Sequence, residues 1–265
     1  MQNKILLHLI TPFLALFQYD LNLIEVPGSP KRIMICFHGM EGDATIAHDV
    51  SDQSSTKETV IGFNFPNAGK LSGTFDPHKT VFGTPKEILP ALFILKECLA
   101  IEDLQEMSLY GHSAGGGAII NVLHALTSHH FDDQLQKIGI HSQEKEKILQ
   151  LLRNGKIILD TPLKSVAEII DFRGESEELI VIGNHYQTND MEPIEVLKKL
   201  KDLSMNVAVH FQIPDEVLSN RDDNLYTERL KKCNSGGKTR VIFGYGEGHS
   251  LPHHVLWSQL SADDA

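Results

Sequence analysis

The stretch of this chain best equipped for chemistry is "EMSLYGHSAGGGAII", residues 106–120, where one serine, Ser113, stands among four glycines. The residues before it read as a strand and those after it as a helix. In that setting Gly111-His112-Ser113-Ala114-Gly115 puts the serine on a sharp, strained turn at the carboxyl edge of a sheet. The flanking positions are small because strand and helix nearly touch there. The helix behind the turn presents a positive end and unpaired N–H groups to a developing oxyanion. A serine so placed is a nucleophile for acyl transfer, provided that a histidine takes its proton and a carboxylate orients that histidine. The competing reading is a glycine-rich turn that binds phosphate or merely packs. The stretch lacks the lysine of a phosphate-binding loop and the GxGxxG spacing of a dinucleotide site, so the nucleophile is the better reading.

Partners for the serine must come from elsewhere in the chain. Of the 14 histidines, His249, His253 and His254 stand close together in "VIFGYGEGHSLPHH". Three aspartates end or follow strand-like runs: Asp160 in "KIILD", Asp190 in "IVIGNHYQTND" and Asp215 in "VAVHFQIPD". Each has a plainer reading as a strand-end turn residue. Neither HExxH nor any equivalent ligand spacing occurs, and no dinucleotide or phosphate motif is present, so neither a metal nor a cofactor is expected.

The elements that must position these residues alternate. Strands are predicted at 21–26, 32–39, 59–66, 107–111, 156–160, 178–184, 206–213 and 239–246. Several are nearly continuous apolar runs, which marks strands buried on both faces. A helix is predicted from Thr84, where Thr84, Pro85 and Glu87 form an N-terminal capping pattern. Others are predicted from Ala114, over 144–155 ending at glycine, at 193–203 and at 222–232. Strands alternating with helices imply parallel pairing and right-handed crossovers. One doubly wound α/β domain over 1–265 is expected, with residues 129–153 as a small lid or insertion.

"GHSAGG" in this order of elements resembles the α/β-hydrolase superfamily, in its esterase/lipase-like branch. The resemblance runs from about Leu21 to the histidine after the last strand. It implies a doubly wound, mostly parallel sheet of the α/β-hydrolase type. Upstream, "ICFHGMEGD" (35–43) is similar to the family's His-Gly loop. The family pattern then places the oxyanion donors on the backbone N–H groups of Met40 and Ala114, and makes His38 a structural residue of the loop. The family order of serine, acid and histidine makes a late histidine the base. "GEGHS" favours His249 over His253 and His254. For the acid, element order favours Asp215, since one helix and one strand separate it from His249. Asp190 is the alternative, and Asp160 a third option, because some lipases of this fold carry the acid one strand earlier. The implied reaction is cleavage of a small-molecule acyl ester or thioester through an acyl-enzyme. Two other readings stay open: a non-catalytic binding or scaffold protein on the same fold, and an acyltransferase or peptidase using the same triad.

Composition bounds the partners. With 265 residues and 41% hydrophobic content, the chain can bury a sizeable core. A net charge of −11 argues against nucleic acid or an anionic membrane surface as main partner. The three cysteines, Cys36, Cys98 and Cys233, are odd in number and lack CxxC spacing, which fits a reducing, cytoplasmic compartment. Export is the alternative, because "KILLHLITPFLALF" (4–17) has the apolarity of a signal-peptide core. His8, Pro12 and the missing cleavage site speak for an edge element instead.

Overall fold

A computed structural model of the chain describes residues 23–39, 42–53, 58–64, 85–162, 203–213 and 239–245. Its strands are β1 (Leu23–Val26), β2 (Ser29–Phe37), β3 (Glu58–Phe63), β4 (Glu106–His112), β5 (Ile157–Asp160), β6 (Val207–Ile213) and β7 (Thr239–Tyr245). They form one sheet in the order β1-β3-β2-β4-β5-β6-β7. Only β1 runs antiparallel, against β3; every other pairing is parallel. The helices are α1 (Ile46–Gln53), α2 (Pro85–Cys98), α3 (Ala114–Thr127), α4 (Asp132–Lys137) and α5 (Ser142–Asn154), with a 3₁₀ turn at His129–Phe131. This is the expected α/β architecture with a mostly parallel sheet.

Burial explains the apolar runs. Along β2, Ile33, Ile35 and Phe37 face one side with β4's Leu109 and β5's Leu159, against α2, α3 and α5. Met34 and Cys36 face the other side with Tyr110 and Ile158, against Ala47 and Val50 of α1. Helices therefore cover both faces, and a strand buried on both faces has no polar side to show. Each fully buried aliphatic or aromatic side chain contributes roughly 1.5–3 kcal/mol. Phe37 and Phe63 add an edge-to-face contact, with ring centroids 5.0 Å apart.

The helices around 85–99 and 148–152 place Leu92, Leu95, Ile148 and Leu152 in the core. The short helix α1 was not expected; it follows the loop after β2 and closes the second face. Among the described residues no helix is long and apolar enough to cross a membrane. The predicted strand 178–184, the helix over 193–203 apart from its last residue, the helix over 222–232, Thr84 and the apolar segment 4–17 lie outside the described residues.

Candidate active site

β4 ends at His112 and α3 begins at Ala114, so Ser113 alone makes the turn between them. Its backbone sits at φ 51°, ψ −117°, on the positive-φ side that non-glycine residues rarely occupy. Such a conformation costs on the order of 1–3 kcal/mol and persists only where the surroundings fix it. They do so here: the Ser113 N–H donates to the Asp160 carbonyl at 2.9 Å, and the Ser113 carbonyl accepts from the Gly117 N–H at 3.2 Å. The Ser113 side chain makes no capping hydrogen bond to α3.

The glycines around Ser113 are required by close approach. A Cβ on Gly111 would stand 2.7 Å from the Gly115 carbonyl oxygen and 2.7 Å from Ile119 Cδ1. A Cβ on Gly115 would stand 2.6 Å from the His38 carbonyl oxygen at the end of β2. The first turn of α3 thus lies against the ends of both β4 and β2.

The loop after β2 is fixed on its own account. His38 is fully buried, and its Nδ1 donates to the Gly39 carbonyl at 2.5 Å. The same carbonyl accepts from the Gly42 N–H at 3.1 Å, closing a tight turn. Burial holds the His38 imidazole below its ordinary pKa, against the opposing pull of the Gly39 carbonyl and Asp43. Further on, the Ala44 N–H donates to Asn64 Oδ1 at 2.6 Å, which ties the loop to the end of β3. His38 is therefore occupied by its own loop, as the resemblance implied.

Beside Ser113 lies a polar cluster that the sequence reading only grazed. His112, Asp160 and His210 are direct neighbours across three adjacent parallel strands. In-register residues of parallel strands share a face, so the three side chains meet. The Asp160 carboxylate accepts from His210 Nδ1 at 2.6 Å, His112 Nδ1 at 3.3 Å and Tyr110 Oη at 3.0 Å. Burial alone would raise the Asp160 pKa, but the bonds from His112 and His210 outweigh it and hold the carboxyl well below the usual range. Burial pushes the Tyr110 phenol well up, and the Asp160 charge adds to this, so it stays a neutral donor. An ionised carboxylate only accepts, so both Nδ1 atoms carry protons and neither can ligate a metal.

Of the site residues expected from sequence, Ser113 and Ala114 are described and stand at the strand–helix junction. Asp160 is described as well; three donors already occupy its carboxylate, which suits it poorly to orienting a further histidine. Met40, Asp190, Asp215, His249, His253 and His254 lie outside the described residues. Two facts about their surroundings follow from the sheet. β6 is the direct neighbour of β7, with β5 on its other side. The strand just before Asp215 in sequence is therefore paired with the strand just before His249.

No family model and no curated protein matches the chain. Solved structures do. Est1E from Butyrivibrio proteoclasticus, solved with ferulic acid bound, superposes with a TM-score of 0.55 at 14% identity, over 92% of this chain and 93% of that one. The thermophilic esterase Est2 of the Planctomycetes species Thermogutta terrifontis, with butyrate bound, gives 0.57 at 12% identity, over 92% and 88%. The capsule O-acetyltransferase of Neisseria meningitidis serogroup A gives 0.51 at 14% identity, over 92% and 91%. The chain has the α/β-hydrolase fold.

Proposed function

We propose that this chain is a serine hydrolase that cleaves a small-molecule ester or thioester through an acyl-enzyme on Ser113. His249 is its base, Asp215 orients that base, and the backbone N–H groups of Met40 and Ala114 are the oxyanion donors. The observation that carries the reading is the strained Ser113 backbone at the carboxyl edge of the sheet, at the N-terminus of α3 and against the end of β2. Strain of this kind clusters at functional sites. The sheet order supports Asp215 over Asp190, because loops leaving the carboxyl ends of neighbouring parallel strands can meet above the sheet.

In the proposed reaction the His249 imidazole takes the proton as Ser113 Oγ attacks the acyl carbonyl. Charge collects on the carbonyl oxygen, which the Met40 and Ala114 N–H groups bind. Collapse of the tetrahedral adduct expels the alkoxide or thiolate, which receives the proton from the imidazolium. Water then repeats the sequence on the acyl-enzyme and releases the acid. Residues 129–153, expected as a small lid or insertion, are proposed as a small helical insertion, because buried Leu135, Ile140, Ile148 and Leu152 anchor them in the core. Cys36 and Cys98 are buried free thiols, in keeping with the cytoplasm as the proposed compartment.

The test is reaction with a fluorophosphonate probe together with turnover of 4-nitrophenyl esters. Wild type should label and turn over; Ser113→Ala should do neither while keeping its fold. Acyl transfer to an alcohol is the second reading, favoured by the likeness to a capsule O-acetyltransferase. An acceptor alcohol added to the ester assay would then yield a new ester at the expense of the free acid. A protein that never labels would instead be the scaffold alternative.

A further inference from the structure

Ser113 is not alone in its strain at the carboxyl edge of the sheet. β5 ends at Asp160, and the next residue, Thr161, has φ 43°. Asp103 and Ser204 also have positive φ, but they lie in turns that lead into β4 and β6, where small polar residues are common. Thr161 is a different case. It is β-branched, for which positive φ is a genuine outlier, and it precedes Pro162, which favours extended backbone in the residue before it. It is also fully buried, and its Oγ1 has no hydrogen-bond partner among the described residues. The orphaned hydroxyl and the backbone strain both cost stability. Main-chain bonds hold the strained segment: the Thr161 N–H donates to the His210 carbonyl at 2.9 Å, and the Asp160 carbonyl just before it accepts from the Ser113 N–H at 2.9 Å.

The β4–β5 register sets His112 beside Asp160, and its continuation brings Ser113 beside Thr161. Neighbouring strands lie about 4.8 Å apart, so atoms bonded to Ser113 are within reach of the Thr161 side chain. Sheet order decides which atoms those are. The oxyanion is bound at the N-terminus of α3, where Gly115 abuts the end of β2. β2 and β5 lie on opposite sides of β4. Thr161 therefore stands on the side of the tetrahedral carbon away from the oxyanion, where the acyl chain and the leaving group project. Of these two, the leaving group of an ester always carries an oxygen that accepts a hydrogen bond.

We propose that Thr161 is a further catalytic residue: its hydroxyl donates a hydrogen bond to the leaving-group oxygen as the tetrahedral adduct collapses. The inference rests on the serine-hydrolase reading. Thr161 keeps its own proton. The bond from the acyl carbon to the leaving oxygen breaks, its electron pair stays on that oxygen, and the imidazolium supplies the proton. The hydrogen bond strengthens as charge builds on the oxygen, so it matters most for a basic alkoxide and least for a phenoxide that leaves unaided.

The experiment measures kcat/KM for the acetate esters of ethanol, trifluoroethanol, phenol and 4-nitrophenol with wild type, Thr161→Val and Thr161→Ser, active sites being counted by fluorophosphonate titration. Valine keeps the branched shape and removes the hydroxyl. Thr161→Val should lose roughly 10- to 100-fold on ethyl acetate, the range of a hydrogen bond to a charged group, and less than about threefold on 4-nitrophenyl acetate. Its rates should thus fall more steeply with leaving-group basicity than those of wild type, whereas Thr161→Ser should keep the wild-type dependence. Thr161→Ala takes the place of Thr161→Val if the valine variant does not fold. An equal loss on every ester would overturn the proposal, since a distorted elbow does not tell one leaving group from another. Unchanged rates on every ester would overturn it as well. Failure of the serine-hydrolase reading looks different: wild type would then fail to label at Ser113 before any variant is compared.

Discussion

At the scale of single residues, the sharpest expectation concerns the acid. Exchanging the true triad acid for asparagine keeps its shape but loses its charge and selects the wrong imidazole tautomer. In a serine protease this costs about 10⁴ in kcat. Asp215→Asn should therefore be crippled, and Asp190→Asn should stay within roughly tenfold of wild type, under about 1.4 kcal/mol of barrier. Steady-state kinetics on a 4-nitrophenyl ester decides; the reversed pattern would move the acid to Asp190. Ser113 was legible because its signal is local: small residues on both sides and a change of hydrophobic period at one point. The row of His112, Asp160 and His210 was not, because it exists only through strand register. The trace left in the sequence is one polar residue at the carboxyl end of each of three apolar runs, "LYGH", "IILD" and "VAVH". Asp160 drew notice as a weak acid candidate; its two imidazole partners did not.

Among the elements, the close contact of α3 with β2 is the most exposed to a test. Gly115→Ala would set a methyl group against the backbone carbonyls of Phe37 and His38, which cannot move aside as a flexible side chain would. Overpacking of this kind costs about 1–3 kcal/mol, and urea denaturation should show a loss in that range. Wild-type stability in Gly115→Ala would mean that the helix and strand are further apart than described. Elements carried by long apolar runs were legible within a few residues: β4 was predicted at 107–111 and spans Glu106–His112. The helix predicted at 144–155 is α5, Ser142–Asn154, and it starts earlier because Glu144 accepts from the His141 N–H at 3.1 Å. Histidine is a poor sequence marker of a helix start. The glycine expected to terminate this helix does follow it, but for another reason: Gly155 has φ −93°, and a Cβ there would run into the Met107 carbonyl oxygen. Helix α1 escaped notice because "IAHDVSDQ" is polar apart from a narrow stripe, in which Ala47 and Val50 are buried.

For the whole molecule, the opposite edge of the sheet carries a charge problem with a measurable consequence. Glu58 opens β3, is 7% exposed, and has a side-chain oxygen without a hydrogen-bond partner among the described residues. Burial and then the nearby Glu106 charge push its pKa from the ordinary 4.5 to about 7, against the opposing pull of Arg32 and Lys156. The folded state therefore holds this proton more tightly than the unfolded chain. The associated stability is complete below about pH 4.5 and is lost as the pH rises through about 7. Glu58→Gln, neutral at every pH, should gain roughly 2–3 kcal/mol on wild type near pH 8 and close to nothing near pH 4. Urea melts at the two pH values test this, and a gain of the same size at both would contradict it. At this scale the sequence was most legible. Alternation of strands and helices specifies a parallel, doubly wound sheet whatever the details of each boundary, because crossover handedness and two-sided burial leave few other arrangements.

The account turns on Ser113 as the nucleophile, and one measurement addresses it directly. After incubation with a fluorophosphonate, intact-protein mass spectrometry followed by peptide mapping should show a single adduct on wild type, located on Ser113. It should be absent from Ser113→Ala at matched fold and concentration. An adduct of wild-type extent on the alanine variant, or none on a folded wild type, would contradict the account.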